Sequence, residues 1–309
     1  MTTMKIIKIY QQGDVDVLQF EDAPIPTIEQ DEVLIRVQAL GVNPLDWKLR
    51  SGYFPLKDPD DFPRVLGFDV AGEVVATGSA VTQFVVGDLV YGVPNNGGYA
   101  EYVCAFAADL ARIPSTTNVI QAAALPCATI TAWQALFDSA QLAAGQTVLI
   151  HGAAGGVGTM AIQLAKWRGA RVIGTASAHN HAFLQELGAD EVIDYTTTRF
   201  EEVVSPVDVV FDTVGGETLH RSWKVLKHGG RLRTIASDDA PQLAAKYGID
   251  ASGYEIQSPF GATLTEIAGL VDNGHLKPVV STVLPFQEVK QAHRLSEGRH
   301  VRGKIVLML

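Results

Sequence analysis

The segment Thr147-Val-Leu-Ile-His-Gly-Ala-Ala-Gly-Gly-Val-Gly158 joins an apolar run to a glycine-rich turn, and Thr159 to Arg168 continues it with helical periodicity. Strand, turn and helix in that order form the setting a dinucleotide-binding turn requires. Gly155 and Gly158 stand at the second and third glycine positions of G-x-G-x-x-G, and Ala153 stands at the first. Without a Cβ at Gly155 the backbone can approach a pyrophosphate, while Gly158 allows close packing of helix on strand. The backbone of Ala154, Gly155, Gly156 and Val157 then presents N–H groups and the positive end of a helix dipole to the anion. A structural glycine turn in another α/β fold is the competing reading.

The following strand discriminates between nucleotides. An NAD site carries an acid about twenty residues on, where it binds the ribose 2′-hydroxyl. Here no carboxylate lies between Arg171 and Gln185; the first is Glu186. Ser177, His179, Asn180 and His181 offer donors to a 2′-phosphate instead, so the expected cofactor is NADPH. The same residues also suit a polar loop capping the next helix.

Stepping outward, the 309-residue chain has room for about two domains. Its net charge of −10 argues against nucleic-acid and anionic-membrane partners, which favour basic surfaces. Two cysteines, Cys104 and Cys127, are too few for a disulfide framework or a cysteine-rich zinc site. The N-terminus lacks a signal-peptide apolar core, and no stretch reaches the roughly 18 apolar residues of a membrane span. The expectation is a cytoplasmic protein.

The elements divide the chain. Strands are expected at 5–10, 18–21, 32–39, 71–76, 89–92 and 98–103. Alanine-rich helices follow at 119–125 and 129–139, with Pro126 breaking between them. Strands at 148–151, 171–174, 191–193, 207–211 and 231–235 then alternate with helices at 157–168, 180–187 and 217–226. That alternation predicts a doubly wound parallel sheet of Rossmann type. The tail holds helices at 263–272 and 286–295 and strands at 279–284 and 304–309. It is expected to fold back on the N-terminal β-rich part and leave a cleft between domains.

Several collinear motifs carry a resemblance. They are Gly41-Val-Asn-Pro-Leu-Asp-Trp-Lys-Leu-Arg-Ser-Gly52, Val65-Leu-Gly-Phe-Asp-Val-Ala-Gly-Glu-Val74, Gly87-Asp-Leu-Val-Tyr-Gly92 and Gly97-Gly-Tyr-Ala-Glu-Tyr102. Ala122-Ala-Ala-Leu-Pro126, the turn ending at Gly158, Leu187-Gly-Ala-Asp-Glu-Val-Ile-Asp-Tyr195 and Gly303-Lys-Ile-Val306 continue them. The chain resembles the medium-chain dehydrogenases/reductases and, within them, the zinc-free quinone oxidoreductases of ζ-crystallin type. The resemblance implies a GroES-like catalytic domain at 1–122 and 264–309, a Rossmann domain at 123–263, and a homodimer formed through the nucleotide-domain sheet edge.

Site roles follow from the same resemblance. Asn43 occupies the cysteine position of the zinc-dependent relatives, Phe68 the histidine position and Asp69 the glutamate position, and the four-cysteine lobe is missing, so no metal site is expected. Asn43, Asp46, Lys48 and Tyr53 lie on the segment that faces the cofactor in the family. Asn43 is suited to donate its amide to the acceptor oxygen, and Tyr53 its phenol, although the family tyrosine stands next to the proline, where this chain has Phe54. Asp46 is either catalytic or a buried acid that organises the Asn43 loop and pairs with Arg50. Thr131 matches a threonine near the nicotinamide, and Tyr195 a tyrosine beside the adenosine phosphate. Phe211, Asp212 and Val214, then Ile235, Ala236 and Ser237, follow successive strands toward the nicotinamide. Arg299, Arg302 and Lys304 stand where the family places a basic C-terminal cofactor contact; for Arg299 and Arg302 a solvated turn is an equal alternative. His151 reads as a satisfied core histidine.

The implied activity is zinc-independent reduction of quinones by NADPH in the interdomain cleft. Reduction of alkenals, enones or enoyl thioesters is the alternative. A non-catalytic NADPH-binding sensor or structural protein is the reading from another class.

Overall fold

The computed structural model describes residues 3–253 and 256–309. They form two compact units, the first made of Met1–Cys127, Ser258–Gly274 and Pro278–Leu309, the second of Ala128–Gln257 and His275–Lys277.

The second unit is built on six parallel strands. In space they run Glu191–Asp194, Arg171–Ala176, Thr147–His151, Val207–Asp212, Leu226–Thr234 and Asp250–Gly253. Numbered along the chain this is 3-2-1-4-5-6, the Rossmann order expected from the alternating pattern. Val148, Leu149 and Ile150 are fully buried, as a central strand covered on both faces requires. Its neighbours direct Val172, Val209 and Val210 into the same core.

The first unit is mostly antiparallel. Its main sheet runs Val280–Pro285, Lys304–Met308, Glu32–Val42, Asp69–Thr77, Leu89–Gly92 and Leu110–Arg112, with Tyr102–Phe106 also pairing with Glu32–Val42. Thr3–Lys8 and Gln19–Pro24 form a separate hairpin-like pair. The last strand pairs antiparallel with Glu32–Val42, so the tail does return to the N-terminal β-structure. Among the described residues no helix is long and apolar enough to cross a membrane.

Several local expectations are corrected. Two helices do break at Pro126, the first being Val119–Ala123, but the proline itself starts the second, Pro126–Trp133, which widens into a π-helical turn over Gln134–Ser139. A first-turn N–H has no intrahelical acceptor, so proline fits there without loss. The strand expected at 98–103 is Tyr102–Phe106, because Gly98 and Tyr99 donate to the carbonyls of Leu66 and Gly67 in a turn. The helix expected to reach Leu226 ends at Ser222, and Leu226 already begins a strand. The helices Pro44–Ser51, Phe200–Val203 and Ala240–Tyr247 and the strands Leu110–Arg112 and Asp250–Gly253 are additional.

The glycine turn shows why two of its positions differ. A Cβ on Gly158 would lie 2.3 Å from the Gly152 carbonyl oxygen and 2.7 Å from Ala153 Cα. On Gly155 the nearest atom would be that same oxygen at 3.4 Å, an ordinary contact. Gly158→Ala should therefore destabilise the protein by about 1–3 kcal/mol. Gly155→Ala should leave the melting temperature nearly unchanged. Thermal melts of the two variants check this, and equal losses would contradict it.

Candidate active site

In the second unit, five strand ends collect the expected cofactor residues along one edge. Ala154 to Val157 follow Thr147–His151; Ser177, His179 and Asn180 follow Arg171–Ala176; Tyr195 follows Glu191–Asp194; Val214 follows Val207–Asp212; Ile235 and Ala236 follow Leu226–Thr234. All the strands are parallel, so this is the carboxyl edge of the sheet. The strand order reverses between Thr147–His151 and Val207–Asp212, where ligands of open α/β sheets bind. The helix Gly156–Trp167 begins there with Gly155 as its cap, leaving first-turn N–H groups without intrahelical acceptors.

Buried polar groups fix these ends. Asp212 is fully buried; its carboxylate accepts from Thr234 Oγ1 at 2.7 Å and from the N–H groups of Val214 and Gly215 at 3.0–3.1 Å. Burial raises its pKa against those bonds. Thr234 Oγ1 also accepts from Ala236 N, so one carboxylate organises both loops. His151 lies between Thr175 Oγ1 at 3.0 Å and Ser222 Oγ at 3.1 Å. Ser222 donates to the Thr218 carbonyl, so His151 Nε2 is the donor to Ser222 and Nδ1 the acceptor from Thr175. Burial pushes the imidazole down to about 3, and it is a neutral, satisfied core residue.

The loop after Arg171–Ala176 draws its polar groups together. Ser177 Oγ lies 3.2 Å from His179 Nδ1 and accepts from Asn180 Nδ2 at 3.3 Å. Ser177 precedes a short 3-10 turn, Ala178–Asn180, without a side-chain capping bond, which removes the capping explanation for its hydroxyl. Tyr195 and Val214 are exposed, whereas Thr131 is buried on Pro126–Trp133.

The first unit holds a second cluster. Asn43 caps the helix Pro44–Ser51, with Pro44 at its first position and Gly52 left-handed at its end. Asn43 Nδ2 donates to Asp69 Oδ2 at 2.8 Å. Lys304 Nζ donates to that same oxygen at 2.8 Å and to Asn43 Oδ1. Asp69 Oδ1 accepts from Cys127 N at 2.6 Å. Asn43, Asp69 and Lys304 are all buried. Asp46 accepts from the N–H groups of Asn43 at 2.7 Å and Gly67 at 2.9 Å. Burial pushes its pKa up to about 7 against those bonds and the nearby Lys304 ammonium. Asp46 thus organises the Asn43 loop, but the expected pairing with Arg50 is absent: Arg50 binds Glu297 at 2.7 Å. Tyr53 lies apart from this cluster, half-exposed and packed edge-on against Trp47 and Phe54. Arg302 is exposed in the turn before Lys304.

Residues 29–115 match the family described as alcohol dehydrogenase GroES-like domain, and residues 187–307 that described as zinc-binding dehydrogenase. A quinone oxidoreductase of Mus musculus is 32% identical over 326 residues, covering 99% of this chain and 98% of that protein. A chloroplastic NADPH-dependent alkenal/one oxidoreductase of Arabidopsis thaliana is 36% identical over 310 residues, covering 96% and 77%. Among solved structures, the quinone oxidoreductase from Coxiella burnetii aligns with a TM-score of 0.94 at 37% identity, covering 100% of both chains. The chain belongs to the medium-chain dehydrogenase/reductase family. It is an oxidoreductase with a GroES-like and a Rossmann unit.

Zinc, which part of the medium-chain family uses, does not fit these residues. Phe68 has no donor atom and packs on the core. Asn43 Oδ1 and Asp69 Oδ2 are instead turned to the Lys304 ammonium, and Asp69 Oδ1 to the Cys127 N–H. Among the described residues no group of three or more His, Cys, Asp or Glu is placed to hold a metal.

The Lys304 partnership escapes sequence reading, because Asp69 lies 235 residues away and only sheet pairing unites them. Losing one member of a buried pair strands the other charge. Lys304→Met should cost about 3–5 kcal/mol, and adding Asp69→Asn should restore most of it. Urea denaturation of both singles and the double variant measures this. Additive losses would show that the pair carries no coupling.

Proposed function

We propose that the chain reduces quinones with NADPH and without a metal. The observation that carries this reading is the buried Lys304 ammonium held by Asn43 and Asp69, where zinc-dependent relatives hold a Lewis acid. Without a Lewis acid, oxidation of unactivated alcohols loses its main source of charge stabilisation. Electron-poor acceptors need only a hydride, a donor for the developing oxyanion, and protons. The mouse relative is named for quinones and the Arabidopsis relative for NADPH and alkenals, which supports both halves of the reading.

Bound NADPH supplies the hydride. Ala154, Gly155, Gly156 and Val157 would hold its pyrophosphate through backbone N–H groups. Ser177, His179 and Asn180 would bind the 2′-phosphate, with Tyr195 beside it. Thr131, Val214, Ile235 and Ala236 would line the nicotinamide side, and Arg302 would add a basic contact. Asn43 commits one of its two amide hydrogens to Asp69 and has a second for an acceptor oxygen. Lys304 donates to Asn43 Oδ1, and this polarises the amide so that its N–H becomes a stronger donor. Lys304 is thereby a positioning residue acting through Asn43, and its third N–H is left for the cofactor contact that the family resemblance implies. Tyr53, with an exposed ring, would supply a proton when the acceptor is an enone.

Steady-state NADPH and NADH oxidation with quinones, enals and enoyl thioesters, with and without a chelator, tests the reading. Quinone reduction indifferent to the chelator is expected, and chelator-sensitive alcohol oxidation would overturn it. NADPH should bind more tightly than NADH by about tenfold or more, since each charge-assisted phosphate bond contributes about 1.5–3 kcal/mol. Fluorescence titration decides, and equal affinity removes the assigned role of Ser177, His179 and Asn180.

Asn43→Ala should lower kcat about tenfold or more while leaving NADPH affinity within twofold or so, since one oxyanion donor is worth up to about a hundredfold or more. Single-turnover rates and cofactor titration separate the two effects. An unchanged rate in the folded variant would reduce Asn43 to a loop-organising residue.

A further inference from the structure

Two cations of the first unit stand without an acid. Lys48, half-buried on Pro44–Ser51, has its Nζ 5.3 Å from the centre of the Tyr53 ring and 5.4 Å from that of Phe54. The Arg299 guanidinium lies 5.4 Å from the centre of the Trp47 ring. Among the described residues neither has a hydrogen bond or ion pair to a carboxylate. This occurs in a chain where 34 acids outnumber 24 lysines and arginines. Burial and the neighbouring Arg299 both push the Lys48 pKa down, and no acid opposes them. Two like charges held close together are unfavourable unless something neutralises them.

The rings beneath form a fixed surface. Trp47 meets Tyr53 edge-on at 5.8 Å, and Tyr53 meets Phe54 at 5.3 Å. Tyr53 and Phe54 leave 52% and 38% of their surface exposed. Their turn is tied down by Gln12, whose Nε2 donates to the carbonyls of Leu49 at 2.7 Å and Phe54 at 2.8 Å, while its Oε1 accepts from Leu56 N at 3.1 Å. The buried Trp47 Nε1 is a further donor without a partner. Two exposed rings, Tyr53 and Phe54, beside uncompensated cations suit a conjugated molecule that stacks on one ring and carries negative charge.

We propose that Lys48 and Arg299, beside the exposed Tyr53 and Phe54 rings, bind the anionic group of a planar acceptor: a sulfonate, carboxylate or phosphate attached to an aromatic or conjugated ring. The word acceptor rests on the reductase reading; the anion site does not. Trp47, Lys48, Tyr53 and Phe54 sit on or just after one helix, and Arg299 follows the helix Val289–Glu297 that packs beside it.

Naphthalene-2-sulfonate, a planar anion with nothing to reduce, probes the site, and 2-naphthol is its uncharged counterpart. Calorimetric titration of the full chain should show the sulfonate binding about tenfold more tightly than the naphthol, with the difference fading at about 0.5 M salt. Lys48→Gln and Arg299→Gln should each weaken sulfonate binding about five- to tenfold and leave naphthol binding alone, while Lys48→Arg retains it. Equal affinity for the two probes, absence of sulfonate binding, or folded glutamine variants that bind it like the parent would each overturn the proposal. Menadione reduction by NADPH is measured on the same preparation. Sulfonate discrimination without menadione reduction upholds the anion site and removes the reductase reading; reduction without discrimination does the reverse.

Discussion

Taking the Lys304 ammonium and the Asp69 carboxylate out of water is costly, and their mutual attraction compensates only when every remaining donor and acceptor finds a partner. Here the partners come from four distant parts of the chain. Asn43 follows the strand Glu32–Val42, Asp69 opens the neighbouring strand, Lys304 opens the last strand, and Cys127 contributes its backbone N–H. The antiparallel register sets Gly41 opposite Asp69 and Val42 opposite Ile305, which brings the three side chains to one end of the sheet. Gly41 must lack a side chain, because a Cβ there would lie 2.6 Å from the Asp69 carboxylate and 2.4 Å from the Ala123 carbonyl oxygen. Sheet register, helix capping and the orientation of the Asn43 amide are thus coupled through one ion pair.

The same logic holds in the Rossmann unit without a buried ion pair. Asp212 receives three hydrogen bonds that define the loops after two strands, and His151 bridges two hydroxyls across the sheet. Burial keeps that imidazole uncharged at neutral pH, so it orients its neighbours and leaves the local charge unaltered. The loops that follow these strands hold the residues proposed to contact the cofactor. Their conformations are set from below by buried polar groups.

What the sequence reveals depends on the range of the interaction. The Thr147–Trp167 unit is legible because apolar run, glycines and helical period are all local. The helix Pro44–Ser51 is not among the expected elements, although its cap signals Asn43, Pro44 and Gly52 are equally local. The strand Asp250–Gly253 is not legible: Asp, Ser and Gly have little strand preference, and pairing with Leu226–Thr234 alone extends it. Pro126 marks the break between two helices, but its neighbours leave open that it belongs to the first turn of the second. Lys304 is visible as a basic residue near the C-terminus, yet its partners at Asn43 and Asp69 are determined by strand order, which no short window contains.

The cations of the first unit differ in kind. Lys304 is buried, so its charge has to be met by protein groups, and it is met by Asp69 and the Asn43 oxygen. Lys48 and Arg299 lie nearer solvent, where water can serve until a ligand arrives, and the fold supplies rings in place of acids. A charge neutralised within the protein acts through the group it polarises; one left unneutralised at the surface has its field directed outward. In the proposed division the Asn43–Lys304 pair would supply the donor for an acceptor oxygen. The Lys48–Arg299 surface would then select which acceptors approach, in a chain whose net charge of −10 otherwise disfavours anions at its surface.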